Sequence, residues 1–200
     1  MAKELVDICD ESLKVTGIVD REFAHRNGIL HKTIHCWFVD SDYVYFQIRG
    51  KSGSFPGLLD VTAGGHISSG EKTEEAIRRE VREELGIQIS LEELKYVGNH
   101  RFVYRDDEQF VREFSDVFLA RAEKGFSTFK PDPAEVSGIA AIPFVEGREV
   151  IRREITFLPV RVLLTNSSKR HETTMAINGS SFVPGIGDYF AKILELGEIY

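Results

Sequence analysis

Glu80, Glu83 and Glu84 stand in the stretch TEEAIRREVREEL, Thr73 to Leu85, which is rich in good helix formers and free of glycine and proline. At spacings i, i+3 and i+4 their carboxylates project from one helical face. Like charges placed so repel, by roughly 0.2–0.5 kcal/mol per close pair on an exposed helix. A hard divalent cation, Mg²⁺ or Mn²⁺, would neutralise the cluster while also taking oxygens from a substrate phosphate. An isolated EExxE stretch also fits a solvated acidic face. The nearby cations are Arg78, Arg79 and Arg82, and Arg79 can brace Glu83 across one turn. Thr73 suits the N-cap, Glu74 and Glu75 suit the positive end of the dipole, and Gly86 suits the C-terminal stop. Ile77, Val81 and Leu85 form the apolar stripe that seats the helix on a core.

The surrounding chain must supply a scaffold for that helix. Residues 4–20 read as a hairpin with strands over 5–9 and 14–19, and 21–27 as a short helix stopped by Gly28. Strands follow over 33–39 and 43–49, then a loop over 50–56, a short strand over 57–62, and Ala63-Gly64-Gly65 leading into the helix. Beyond it the expectation is a short strand over 87–89, a hairpin over 96–105 and 110–121, a strand over 136–144, and helices over 146–153 and 188–196. This is an α/β (α+β) pattern: a mixed sheet with helices on its faces, an α/β/α sandwich. No domain boundary interrupts residues 1–200; an N-terminal hairpin region (about 1–27) and a C-terminal extension (about 159–200), loop-rich over 159–187, flank the centre.

The 200 residues are 42% hydrophobic and 28% charged, enough for a sizeable core. A formal charge of −7 without a basic stripe argues against a nucleic-acid polymer as partner, yet allows a small polyphosphate screened by metal ions. No apolar run reaches ~18 residues and no signal run opens the chain, so the expectation is a cytoplasmic protein with no membrane partner. Cys9 and Cys36 lack metal-type spacing and read as reduced packing thiols. Arg49 and Lys51, at a strand end before the glycine loop, could grip phosphate oxygens; a solvated strand end is the other reading. Glu113 falls on a strand, where an inward carboxylate must be paired or bound to metal, and Glu135 is a lesser candidate. His25, His31, His35 and His66, taken singly, read as packing or surface residues.

Gly65, Glu71, Arg79, Glu80, Val81, Glu83, Glu84, Gly86 and Ile87 match the signature G-x5-E-x7-R-E-U-x-E-E-x-G-U, with U apolar, at every fixed position. The chain thus resembles the Nudix hydrolases (MutT-like). The resemblance implies a Nudix-type fold with a catalytic loop–helix–loop that binds Mg²⁺ or Mn²⁺ and cleaves a diphosphate linked to another moiety. It implies metal ligation by Glu80, Glu84 and Glu83, with Glu83 or Glu113 as base and Arg79 orienting the box glutamates. Arg49, Lys51, Gly64 and Gly65 would bind the substrate, and a homodimer is the family expectation.

A more diffuse likeness, over roughly residues 4–120, is to the isopentenyl-diphosphate isomerase branch of the same superfamily. It rests on residues 21–25 and 31–35, the segment from Lys51 to Gly57, and Gly64-Gly65-His66. In that isomerase three histidines and two glutamates hold a metal, and a cysteine works with a glutamate to move a proton. His25, His31, His66 and Glu113 match ligands, whereas Gly64 stands at the cysteine and Val111 at the other glutamate. Shuttling a proton at an allylic carbon needs two positioned acid/base groups, and glycine supplies none. The expectation is therefore a pyrophosphatase-type hydrolase in an isomerase-like frame, acting on a nucleoside diphosphate linked to another moiety or a related organic diphosphate. The alternatives are a non-catalytic nucleotide-sensing module and an isopentenyl-diphosphate-type isomerase.

Overall fold

The computed structural model describes residues 4–51, 54–166 and 169–200. Strands β1 (Leu5–Cys9) and β2 (Val15–Asp20) form the expected antiparallel hairpin. Asp20 then caps α1 (Arg21–Asn27), its carboxylate accepting from the N–H groups of Glu22 and Phe23 at 3.1 and 3.3 Å. Gly28 ends α1 with φ 61°, and a side chain there would overlap the Phe110 ring.

The chain continues through β3 (His31–Val39), β4 (Tyr43–Arg49), β5 (Leu59–Asp60), β6 (Ala63–His66) and α2 (Thr73–Leu85). It then forms β7 (Lys95–Arg105), β8 (Phe110–Arg121), β9 (Val136–Pro143), α3 (Phe144–Ile151), β10 (Leu158–Thr165), β11 (Arg170–Ile177) and α4 (Gly187–Ile199). The described strands join in one sheet with the central order β11-β10-β9-β4-β3-β1-β2. β3 is its hub: it pairs antiparallel with β4 and β6 and parallel with β8, which makes the sheet mixed.

The period-2 alternation of β3 divides the core. Ile34, Cys36 and Phe38 face one layer with Ile77, Val81 and Leu85 of α2. Trp37 and Val39 face the other with Phe190, Ile193 and Leu194 of α4. Helices thus cover both faces, as the sandwich expectation requires. No helix among the described residues is long and apolar enough to cross a membrane.

Several local expectations need correction. Residues 159–187 are not loop-rich: β10 and β11 form an eight-pair antiparallel hairpin, with Val160 and Val162 buried between exposed Pro159 and Arg161. Residues 87–89 are not a strand but an irregular link that docks buried Ile89 on the α2 layer. α2 is capped at Lys72, whose N–H bonds the Glu75 carboxylate at 3.3 Å, while the Thr73 hydroxyl reaches Asp116 at 3.4 Å. Phe144 opens α3 instead of closing β9. β6 was missed because its glycines read as loop. Ser52 and Gly53 of the expected 50–56 loop, residues 1–3 of the N-terminal region and residues 167–168 of the extension lie outside the described residues.

Phe190 is fully buried, edge-on to Trp37 (5.4 Å) and Phe46 (5.2 Å). Phe190→Ala should lower the unfolding free energy by about 3–5 kcal/mol in denaturant titration, and a loss below ~1 kcal/mol would contradict this packing.

Candidate active site

β6 ties two groups of side chains to one cleft of about 700 Å³. On its α2 side, Gly65 lies so close to Glu80 that any Cβ there would overlap the carboxylate. The Gly64 N–H donates to Glu84 Oε2 at 3.1 Å. Arg79 locks this arrangement as a fork. Its Nε and Nη2 grip the two oxygens of Glu71 at 2.8 Å each, Nη1 donates to Glu80 at 2.7 Å, and Nη2 also donates to the His66 carbonyl at 3.0 Å. Glu71 and Arg79, eight residues apart, thereby staple the loop before α2 onto its first turns.

Glu80 and Glu84 are therefore carboxylates held with little water. Burial pushes the Glu80 carboxyl up to about 7, against the pull of Arg79. Burial, and next the charge of Glu80, raises Glu84 well above the usual range. Glu135 also lines the cleft and is raised, chiefly by burial. Hard oxygen donors that repel one another at a cleft wall fit a divalent cation such as Mg²⁺ or Mn²⁺.

The other side of β6 carries a different donor set. β3 and β8 place His31 beside Glu113, β6 places His66 opposite Thr33, and α1 brings His25 over the same spot. The Nε2 atom of His25 lies 3.2 Å from that of His31 and 3.0 Å from that of His66. Glu113 Oε1 stands 3.5, 3.8 and 3.5 Å from His25, His31 and His66. Ligands about 2.1 Å from one cation stand about 3.0–3.5 Å apart, so these four groups match a single metal ion. The His31 Nδ1–H donates to the Ile29 carbonyl at 2.8 Å, which leaves Nε2 as the free lone pair, and Glu4 faces His66 Nδ1 at 3.8 Å. Burial holds His31 neutral, its pKa pushed down to about 4. Burial opposes ionisation of Glu113, but the imidazoles of His25 and His66 outweigh it and hold the carboxyl well below its usual range. Imidazole nitrogens with one carboxylate suit a transition metal better than Mg²⁺.

The sequence-derived candidates divide accordingly. Glu80, Glu84, Arg79, Gly64, Gly65, Glu113 and Arg49 line the cleft. Arg49 is engaged there, donating to Asp60 Oδ2 and to the Ser54 carbonyl at 2.6 Å each. Lys51 and Glu83 are not among the described lining residues; Lys51 is exposed, and Glu83 pairs with Arg82 at 3.2 Å and Arg79 at 3.5 Å. Among the described residues, the histidine group is the one whose three or more donor atoms converge at chelating distance; Glu80, Glu83 and Glu84 do not. Sequence reasoning missed His100 and Phe102, which line the cleft from β7 beside Tyr104. The i, i+2, i+4 spacing of the three on an expected strand was the available signal.

These features together define a Nudix fold whose box helix faces its cleft. The NUDIX domain model matches residues 30–158, and the chain belongs to that family. A Nudix hydrolase of Clostridium acetobutylicum is 28% identical over 201 residues, spanning 98% of this chain and 97% of its own. The isopentenyl-diphosphate Delta-isomerase of Salmonella heidelberg is 37% identical over 128 residues, 61% of this chain and 69% of that enzyme, in keeping with an isomerase-like branch. The crystal structure of DR0079 from Deinococcus radiodurans superposes with a TM-score of 0.58 at 25% identity, covering 76% of this chain and 88% of that one.

The raised carboxyls set a pH dependence for the metal-free protein. A proton held at about 7 by Glu80 when folded, against 4.5 for an unperturbed glutamate, favours the fold at low pH, and that stability is lost as pH rises through 7. Chelated protein should lose denaturation midpoint from pH 6.5 to 8.5, and Mn²⁺ should reverse the slope by displacing those protons. A flat profile unaffected by metal would contradict the buried pair.

Proposed function

We propose that this chain is a metal-dependent hydrolase. It would cleave the diphosphate bond of a nucleoside diphosphate linked to another moiety, or of a related small organic diphosphate, by water attack. The observation that carries the reading is the burial of Glu80 against Glu84 in an open cleft, braced by Arg79 and Gly65. Glu80 and Glu84 would hold Mg²⁺ or Mn²⁺, with Glu83 reaching in from the surface, and His25, His31, His66 and Glu113 would hold a second cation. Bound there, divalent ions would neutralise the diphosphate oxygens and make water easier to deprotonate.

The chain's own groups supply the rest. Arg79 orients Glu80 without contacting substrate, and the Gly64–Gly65 backbone lets the diphosphate come close. Arg49 would exchange Asp60 for a phosphate oxygen, while Lys51 could join from outside the wall. The attacking water needs a carboxylate base. Glu113 is engaged by its histidines, which hold its carboxyl low, and Glu83 by its arginines, whereas Glu135 faces the box glutamates with a carboxyl that burial raises, which suits a base.

The histidine group also favours, as a second reading, an isomerase on an isopentenyl-type diphosphate. Two positions oppose it. A Cβ on Gly64 would sit 2.8 Å from Val61 Cγ1 and 3.0 Å from the Ile34 carbonyl, so the cleft is packed around glycine where the isomerase has its cysteine. Val111 is buried and apolar where that enzyme has a second glutamate. A third reading is a nucleotide sensor that binds without turnover. The proposal places the protein in the cytoplasm.

With Mg²⁺ or Mn²⁺, the protein should release phosphate or a phosphomonoester from at least one of a panel of nucleoside di- and triphosphates, sugar nucleotides, dinucleoside polyphosphates and isopentenyl diphosphate. Glu84→Gln should cut that rate on the order of 10²-fold or more. Metal-dependent binding without turnover would support the sensor instead, and double-bond migration in isopentenyl diphosphate would support the isomerase.

A further inference from the structure

Among the described residues, one buried side-chain nitrogen or oxygen has no hydrogen-bond partner: Nε2 of His100, in the middle of β7 on the cleft wall. Buried polar atoms are almost always paired, so an unpaired one at a cleft points to a ligand group. The ring cannot easily turn elsewhere. It stacks on Tyr189 of α4 with centroids 3.9 Å apart and planes at 11°.

Tyr189 is itself immobilised. Trp37 Nε1 donates to its hydroxyl at 2.8 Å, and that hydroxyl lies 2.8 Å from His35 Nδ1. The Tyr189 hydroxyl is thus held between the indole donor and the His35 ring. The other nitrogen of His35, Nε2, meets Ser115 Oγ at 3.3 Å, and Ser115 meets Thr33 Oγ1 at 2.7 Å. This chain of bonds fixes the platform beneath His100. Burial keeps His100 neutral, its pKa pushed down to about 4, so its ring offers one donor and one acceptor.

The next residues on the same face of β7 are aromatic. Phe102 and Tyr104 lie with rings nearly parallel, 9° apart, and Phe55 meets Tyr104 edge-on at 5.1 Å. Phe55 holds φ 57°, the left-handed region that a bulky residue rarely occupies. The rings thus form a wall for a flat partner in the same cleft that Glu80 and Glu84 line.

We propose that His100, Phe102 and Tyr104 form the subsite for a planar, hydrogen-bonding heterocycle of the substrate, a nucleobase, with His100 Nε2 bonding its polar edge. The assignment rests on the hydrolase reading for the position of the diphosphate at Glu80 and Glu84. An isoprenoid chain could cover the same rings but would leave His100 Nε2 buried and unpaired.

The test is titration calorimetry of the full chain in Mg²⁺ with ADP, GDP, CDP, UDP and isopentenyl diphosphate, for wild type, His100→Phe and His100→Gln. His100→Phe keeps a ring on Tyr189 and removes the hydrogen bond; His100→Gln keeps a polar group and removes the ring. Wild type should bind at least one nucleoside diphosphate about tenfold or more tighter than isopentenyl diphosphate. His100→Phe should erase that preference by weakening nucleoside diphosphate binding, and His100→Gln should retain part of it. Equal binding of all probes by wild type, no binding of any, a preference for isopentenyl diphosphate, or a preference intact in His100→Phe would each overturn the proposal. Base-selective binding without turnover would leave this subsite standing and remove only the hydrolase reading.

Discussion

Two carboxylates, Glu80 and Glu84, are kept side by side where burial raises the pKa of both, and most of the site exists to make that tolerable. Arg79 offsets part of the charge and is itself held by Glu71 across the loop. Gly64 contributes a backbone N–H to Glu84, and Gly65 contributes the absence of a side chain beside Glu80. The apolar stripe of α2 fixes the helix face against β3, which aims both carboxylates at the cleft. A cation bound in the cleft would convert this repulsion into affinity, and a diphosphate would bring it further oxygens.

The histidine group solves a different problem with different donors. Burial keeps His31 neutral, and an imidazole set with a single carboxylate would suit a softer cation. β6 joins the two solutions in four residues: Gly64 and Gly65 serve the carboxylates, and His66 serves the imidazoles. The frame resembles that of the isomerase branch with Gly64 at the position of its cysteine and Val111 at that of its other glutamate, both closely packed here.

How much of this the sequence discloses depends on how local each feature is. The box helix is legible because its periodicity, its glycine stop and its carboxylate spacing lie within one stretch. The histidine group draws ligands from α1, β3, β6 and β8, so no local spacing marks it; the resemblance to the isomerase was the route to it. The expected strand over 87–89 failed because three apolar residues serve a docking link as well as a strand. The β10–β11 hairpin was legible in the buried–exposed alternation of Leu158 to Val162, but the Pro and Gly breakers near it weighed toward loop. His100 and Tyr189 meet only because α4 folds back across the sheet, a tertiary fact with no sequence signature. Glu83 and Lys51 are legible as residue types, yet their direction depends on Arg82 and on the loop after β4.

Everything proposed for the cleft depends on Glu80 and Glu84 holding the cation at which a diphosphate docks. Anomalous scattering from a crystal grown with Mn²⁺ at neutral pH and a non-hydrolysable diphosphate would show whether they do. The expected result is a Mn²⁺ peak against the Glu80 and Glu84 carboxylates with phosphate oxygens on the same ion, besides any peak among His25, His31 and His66. A peak confined to the histidines, with Glu80 still paired to Arg79 and the diphosphate bound elsewhere, would contradict it.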